Sequence, residues 1–201
     1  MNVLGAVLAG GPARRMGRDK ALLDWEGTPL AVRVVNRLRE ALGEVVVVAK
    51  RTRPLEELGL RVVADPLEVQ TPLAGILAAL REAGGRPVFV VACDMPFVNP
   101  SLVRRIVELA EGYEAGAPVK AGRLEPLHAL WGPQAEPAIL HSIEAGDLAA
   151  HRVLERLELR RIEEPEWRPL DPGGRSFANA NTPQDLEKLR GDRAIGSPGS
   201  G

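Results

Sequence analysis

Four short apolar runs alternating with helical patterns set the terms for what this chain can fold into. Val3 to Leu8, Glu44 to Ala49 (EVVVVA), Leu60 to Ala64 (LRVVA) and Pro87 to Ala92 (PVFVVA) are bounded by turn residues and rich in valine. Short, nearly continuous apolar runs of this kind suit strands buried on both faces, and β-branched side chains favour strand over helix. Between them apolar residues recur at helical spacing: Leu30, Val34, Val35, Leu38 and Leu42; Leu73, Ile76, Leu77 and Leu80; Leu102, Val103, Ile106, Val107 and Leu109. Thr28-Pro29, Thr71-Pro72, Asn99-Pro100 and Thr182-Pro183 each offer a capping oxygen followed by a proline that has no N–H to lose, a repeated signal for a helix start. Strands alternating with helices imply βαβ units, so the expected fold class is α/β: three layers around a mostly parallel sheet. In such sheets ligands bind beyond the carboxyl ends of the strands.

The second half is less regular. Leu127 to Trp131 reads as a strand, Pro137 to Ala145 and Leu148 to Leu157 as helices, and Leu159 to Glu163 and Ser176 to Ala178 as short strands. Pro165 to Gly174 reads as a loop and Thr182 to Arg190 as a last helix. The 201 residues fit one domain, expected over 1–190, with a polar flexible tail over 191–201.

Charge and cysteine narrow the function classes. Lys+Arg is 26 and Asp+Glu 27, a formal net charge of −1, which lacks the basic excess that a nucleic-acid binder needs. One cysteine rules out an internal disulfide framework and suits a reducing compartment. With no signal-peptide pattern and no apolar stretch approaching ~18 residues, no membrane association is expected and the cytoplasm is the expected location.

The segment Leu8 to Lys20 (LAGGPARRMGRDK) directly follows the first run. Gly10 and Gly11 permit close approach of backbone N–H groups to a ligand, and Arg14, Arg15 and Lys20 add positive charge, the combination a polyphosphate requires. A glycine turn followed by solvated charges is the plainer alternative. The spacing matches neither the P-loop nor the G-x-G-x-x-G fingerprint. Asp94, in Cys93-Asp94-Met95-Pro96 after the fourth run, is a candidate Mg²⁺ ligand, since hard Mg²⁺ is held by one or two carboxylates plus substrate phosphates. Capping the next turn is its local alternative. Asp65 either accepts a hydrogen bond from a ribose or base or caps its loop. Cys93 reads as a packed side chain, as do Trp25, Trp131 and Trp167, and His128, His141 and His151 have no metal-ligand spacing.

Together, L-A-G-G-x3-R-M-G-x-D-K at Leu8 to Lys20, Cys93-Asp94-x-Pro96 and Asn179-x-Asn181-Thr182-Pro183 resemble the molybdenum cofactor guanylyltransferases. The resemblance is ordered along most of residues 3–190. It implies a nucleotide-diphospho-sugar transferase-like, Rossmann-like fold and transfer of GMP from GTP to molybdopterin, releasing pyrophosphate. It further implies that Leu8, Ala9, Gly10 and Gly11 contact the guanine nucleotide, that Lys20 binds its phosphates with Arg14 and Arg15 assisting, and that Asp65 lies on the nucleoside side. Asp94 would bind Mg²⁺, and Asn179 and Asn181 would lie on the molybdopterin side. Implied partners are GTP, molybdopterin and, by transient contact, molybdenum-insertion and molybdoenzyme proteins. Some members carry Asn where this chain has Val48, so that side-chain contact to GTP is lost here. Cytidylyl relatives resemble LAAG rather than LAGG, and Gly10 leaves room for the larger purine. A cytidylyltransferase acting on molybdopterin, an enzyme using another small phosphate acceptor, and a non-catalytic nucleotide-binding accessory protein are the rival readings.

Overall fold

The computed structural model describes residues 1–10 and 20–180, together with Asp185 and Glu187. Gly11, Arg14, Arg15, Asn181, the Thr182-Pro183 helix start and the 191–201 tail lie outside the described residues. The strands are β1 (Leu4–Leu8), β2 (Asp24–Trp25), β3 (Thr28–Pro29), β4 (Val45–Ala49), β5 (Val62–Ala64), β6 (Val88–Ala92), β7 (Ala115–Lys120), β8 (Arg123–Leu124), β9 (His128–Trp131) and β10 (Leu159–Ile162). The helices are α1 (Leu30–Leu42), α2 (Arg53–Glu56), α3 (Pro72–Ala83), α4 (Pro100–Leu109), α5 (Ala135–Glu144), α6 (Ala150–Leu154) and α7 (Glu164–Trp167).

One sheet, in the order β10-β7-β9-β6-β1-β4-β5 with β8 paired to β7, forms the middle layer. β1 runs parallel to β4 and β6, with Val7 opposite Val47 on one side and Val91 on the other. The four apolar runs thus become the adjacent strands β6, β1, β4 and β5, as their composition predicts. Every residue of β1, β4 and β6 is buried, because helices cover both faces. The two-residue period splits the side chains between two cores. Val7, Val45, Val47, Phe89 and Val91 pack against α1 and α4, and Leu4, Ala6, Val46, Val88 and Val90 pack against α3, α5 and α6.

Two of the four capping signals act as the sequence predicts. The Thr71 hydroxyl accepts from the Leu73 N–H at 3.3 Å to open α3. The Asn99 side-chain oxygen accepts from Ser101 (2.9 Å) and Leu102 (3.4 Å) to open α4. Thr28-Pro29 does otherwise: it is strand β3, paired with β2 in a two-residue hairpin whose turn residues Glu26 and Gly27 have φ of 52° and 82°. That geometry suits a tight β-turn, and α1 starts only at Leu30.

Two further expectations are corrected, and one strand lies where none is expected. Ser176 to Ala178 is no strand: Arg175–Phe177 is a 3₁₀ turn, because the Asp171 carboxylate accepts from the N–H groups of Arg175 (3.0 Å) and Ser176 (2.7 Å). The expected loop at Pro165 to Gly174 begins inside α7, which the Glu166 carboxylate fixes by accepting from the Glu163 N–H at 3.0 Å. Its Trp167 is buried, with Nε1 donating to the Val119 carbonyl at 2.9 Å. The unexpected strand is β7 (AGAPVK), whose small residues and proline give no strand signal. Its small residues are there for packing: a Cβ added at Gly116 would lie 2.2 Å from the Ala110 Cβ at the end of α4.

Replacing Gly116 by Ala is therefore expected to destabilise the protein by about 2 kcal/mol in chemical denaturation, since a packed core resists added volume. Adding Ala110→Gly to that variant should recover part of the loss; an unaltered denaturation midpoint for Gly116→Ala would overturn this account of β7.

Candidate active site

Parallel strands that end together leave an edge where backbone and side chains are free of the ladder. At the carboxyl ends of β1, β4, β5 and β6 lies a cavity of about 410 Å³. Leu8, Ala9 and Gly10 follow β1 into it, Val48, Ala49 and Lys50 come from β4, Asp65 follows β5, and Cys93 and Asp94 follow β6. Because β9 is antiparallel to β6, its leading residues Glu125, Pro126 and Leu127 reach the same edge. The position is the one that the strand–helix alternation predicts.

Backbone hydrogen bonds tie the edge together. Ala9 donates to the Val48 carbonyl at 2.8 Å, and Cys93 donates to the Leu8 carbonyl at 3.1 Å. Gly75, on α3, brings the helix backbone so near that an added Cβ would meet Leu8 Cδ2 at 3.2 Å. At Gly10 an added Cβ would meet no described atom within 4 Å, so the glycine leaves open space beside the chain.

Four of the cavity's charged groups fall into two pairs. Lys20, at the start of a 3₁₀ turn over Lys20–Leu22, places Nζ 3.6 Å from Asp94 Oδ2. Burial pushes the Asp94 carboxyl up from its ordinary value, and the Lys20 ammonium opposes that shift. On the other side of β1, Lys50 Nζ lies 3.9 Å from Asp65 Oδ2 and donates to the carbonyls of Leu67 (2.5 Å) and Val69 (3.0 Å). Asp65 Oδ1 accepts from the Leu67 N–H at 3.1 Å, so this carboxylate also braces its own loop, as the capping reading predicts.

Of the residues singled out from sequence, Leu8, Ala9, Gly10, Lys20, Asp65, Asp94 and Asn179 all line the cavity. The Ala180 N–H donates to the Asp94 carbonyl at 2.8 Å, which holds the segment bearing Asn179 beside Asp94. Cys93 is buried; His141 and His151 lie exposed on α5 and α6, and the three tryptophans are buried. Sequence reading missed Lys50, Gln70 and Glu125. Lys50 could have been found, because it is the first residue beyond the EVVVVA run. Glu125 could not, because β7 and β8 before it were not legible and the antiparallel direction of β9 does not show in its composition.

Among the described residues no group of three or more His, Cys, Asp and Glu side chains could hold a metal ion. A cation on Asp94 would take its remaining ligands from water and from the phosphates of a bound nucleotide, the way Mg²⁺ is usually held. A single carboxylate, short of solvent and beside a lysine that phosphates would also attract, fits that use.

Comparison with known proteins places the chain in context. The family described as the MobA-like NTP transferase domain matches residues 5–162. A protein of Pelotomaculum thermopropionicum named "probable molybdenum cofactor guanylyltransferase" is 37% identical over 190 residues, covering 94% of this chain and 93% of that protein. One of the same name from Methanosarcina mazei is 37% identical over 201 residues, covering 92% and 88%. The crystal structure of molybdopterin-guanine dinucleotide biosynthesis protein A from Archaeoglobus fulgidus superposes with a TM-score of 0.82 at 30% identity, covering 96% of this chain and 99% of that one.

Beneath the cavity floor, His128 is wholly buried between Phe89 and Phe177, and neither ring nitrogen has a hydrogen-bond partner among the described residues. Burial pulls its pKa from the ordinary 6.5 down to about 4, with Asp171 opposing. Between those values the unfolded chain holds a proton that the folded chain refuses, so this stability is fully present above pH 6.5 and is lost as pH falls toward 4. The loss is expected to reach about 3 kcal/mol. Denaturation between pH 4 and 7 should show a shallower acid slope for His128→Leu than for the parent; identical slopes would remove His128 from this role.

Proposed function

The chain belongs to the MobA-like NTP transferase domain family, and from that premise we propose that it is a molybdenum cofactor guanylyltransferase, moving GMP from GTP onto molybdopterin. The observation that carries this reading is the meeting of Lys20 and Asp94, 3.6 Å apart, in a cavity also lined by Gly10, Asp65 and Asn179. A cation for phosphate, a carboxylate for a metal and an uncrowded backbone glycine are what nucleotidyl transfer requires of a protein.

In the reaction, an oxygen of the acceptor's terminal phosphate bonds to the α-phosphorus of GTP while the α–β anhydride bond breaks, and pyrophosphate leaves. The attacking phosphate is already ionised, so no general base is needed. The difficulty is charge: two polyanions must approach in line. Lys20 offsets phosphate charge, with Arg14 and Arg15 of the same sequence segment assisting. Asp94 holds Mg²⁺, which supplies charge stabilisation to the nucleotide phosphates when bound. Leu8, Ala9, Gly10 and Gly11 hold the nucleotide through the loop after β1, Asp65 lies on the nucleoside side, and Asn179 and Asn181 lie on the acceptor side. Val48 presents an apolar side chain to the cavity, so base selection falls to backbone groups and to the space at Gly10. Residues 1–190 act as one nucleotidyltransferase domain, and the product passes by transient contact to molybdenum-insertion and molybdoenzyme proteins. No described helix is long and apolar enough to cross a membrane. The single, buried Cys93 suits a reducing compartment such as the cytoplasm.

Calorimetry with GTP, CTP and ATP should show selective GTP binding that tightens with Mg²⁺; preference for CTP, or no nucleotide binding, would overturn the guanylyl reading. Asp94→Asn is expected to cut turnover about a hundredfold or more, because it removes charge from a site that works by electrostatics. The same change should not lower the melting temperature of the nucleotide-free protein, since burial disfavours the Asp94 charge in the fold. Full activity in Asp94→Asn would take the metal role away from this residue.

A further inference from the structure

Glu125 is a carboxylate that the reaction as described does not use. It lines the cavity at the foot of β9, on the β6–β9–β7 half of the edge, across β1 from Asp65 and Lys50. Its backbone is fixed on both sides: its N–H donates to the Pro118 carbonyl at 2.9 Å, and its carbonyl accepts from the His128 N–H at 3.1 Å. Pro126 follows, with its carbonyl accepting from Trp131 Nε1 at 3.1 Å. The carboxylate stands on a rigid turn, is half-buried, and accepts no hydrogen bond among the described residues. Burial pushes its carboxyl up, and the cation that opposes this shift, Lys120, is drawn to the Gly174 carbonyl at 3.1 Å and over the Phe177 ring.

An ionised carboxylate only accepts hydrogen bonds, so a bare one in a cavity calls for a ligand edge made of N–H donors and repels phosphate. We propose that the Glu125 carboxylate reads the aminopyrimidinone edge of the pterin acceptor, one oxygen taking the ring N–H and the other the exocyclic amino group. The inference rests on the guanylyltransferase reading for its acceptor. Guanine carries the same donor pair, but the nucleoside side of that reading is the Asp65 half of the edge, which leaves this half for the pterin. Glu125 is then a residue that decides acceptor identity, and not one that takes part in phosphoryl transfer.

The test uses the full chain and two fluorescent probes, pterin-6-carboxylate and its 2-oxo analogue lumazine-6-carboxylate, which lacks the amino donor. The parent protein should bind the pterin about tenfold more tightly than the lumazine, as expected of a paired charge-assisted contact. Glu125→Gln should reduce that preference to about twofold or less, because its amide presents a donor to a donor, and Glu125→Asp should restore part of it. Melting curves of both variants establish that they are folded. GTP affinity, measured in parallel by calorimetry, should stay within about twofold of the parent if the carboxylate does not touch the nucleotide. A preference that survives in Glu125→Gln, or a parent with no preference, overturns the proposal. So does a matching loss of GTP affinity, which would assign the carboxylate to guanine. Absence of GTP binding by the parent would strike the guanylyl reading alone, leaving the pterin comparison to decide Glu125.

Discussion

A strand covered by helices on both faces has no place for a polar side chain along its length. β1, β4 and β6 obey that constraint completely, with every residue buried in one of two apolar cores. The chemistry is therefore displaced to where the strands stop. Because the three run parallel and in register, they stop together, and Gly10, Lys50 and Asp94 follow as near neighbours from distant parts of the sequence. The cavity results from the ladder ending while the helices continue past it: Gly75 allows α3 to approach Leu8 closely enough to wall one side.

This constraint also explains what could be read from the sequence and what could not. Strands buried on both faces leave an apolar run with a polar residue at its end, which is how Asp94 was legible; Asp65 was legible from the same pattern, although β5 lies at the sheet edge and is only partly covered, contrary to the expectation of burial on both faces. Leu8 to Gly10 and Lys20, the described parts of the segment from Leu8 to Lys20, were legible because glycines and cations gathered after a strand have no packing reason to be together. The other half of the sheet is legible only in part: β9 and β10 read as strands, and β7 and β8 do not. β7 needs Gly116 to let α4 pack against it, and with Ala115 and Ala117 on its other face its composition looks like a turn. α7 and the Arg175–Phe177 turn are set by carboxylates of Glu166 and Asp171 that reach backbone N–H groups, and any loop might carry such residues. Thr28-Pro29 has the form of a helix start, yet the turn at Glu26-Gly27 captures it as a strand. Glu125 was invisible for a related reason, since its position depends on the antiparallel β9 returning to the edge where the parallel strands end.

The two halves of the edge differ in how their charges are held. On the β4–β5 side, Asp65 and Lys50 spend their hydrogen bonds on the loop that follows β5, and the Leu67 and Val69 carbonyls fix the lysine. That half is built in advance and offers shape. At the centre, Lys20 and Asp94 stand 3.6 Å apart with Asp94 largely desolvated, a contact that phosphate and a cation can each compete for. On the β9–β7 side, the Glu125 carboxylate has no hydrogen bond among the described residues to give up. The sequence of shape, exchangeable charge and open acceptor follows the order of a nucleoside, its phosphates and an acceptor with N–H donors.

Stability and function pull against each other at this edge for one physical reason. Burial penalises the charged form of Asp94, of Glu125 and of His128 alike, and none of the three is fully compensated by a partner in the fold. His128 escapes by staying neutral, packed edge-on against Phe89 and Phe177. The two carboxylates remain available for ligands, because a cation or a pair of N–H donors supplies what the fold withholds. A group fully satisfied by its own protein has little binding energy left to offer a substrate. On the proposed reading, the uncompensated carboxylates are where this structure reserves that energy, one for the metal and phosphates and one for the acceptor.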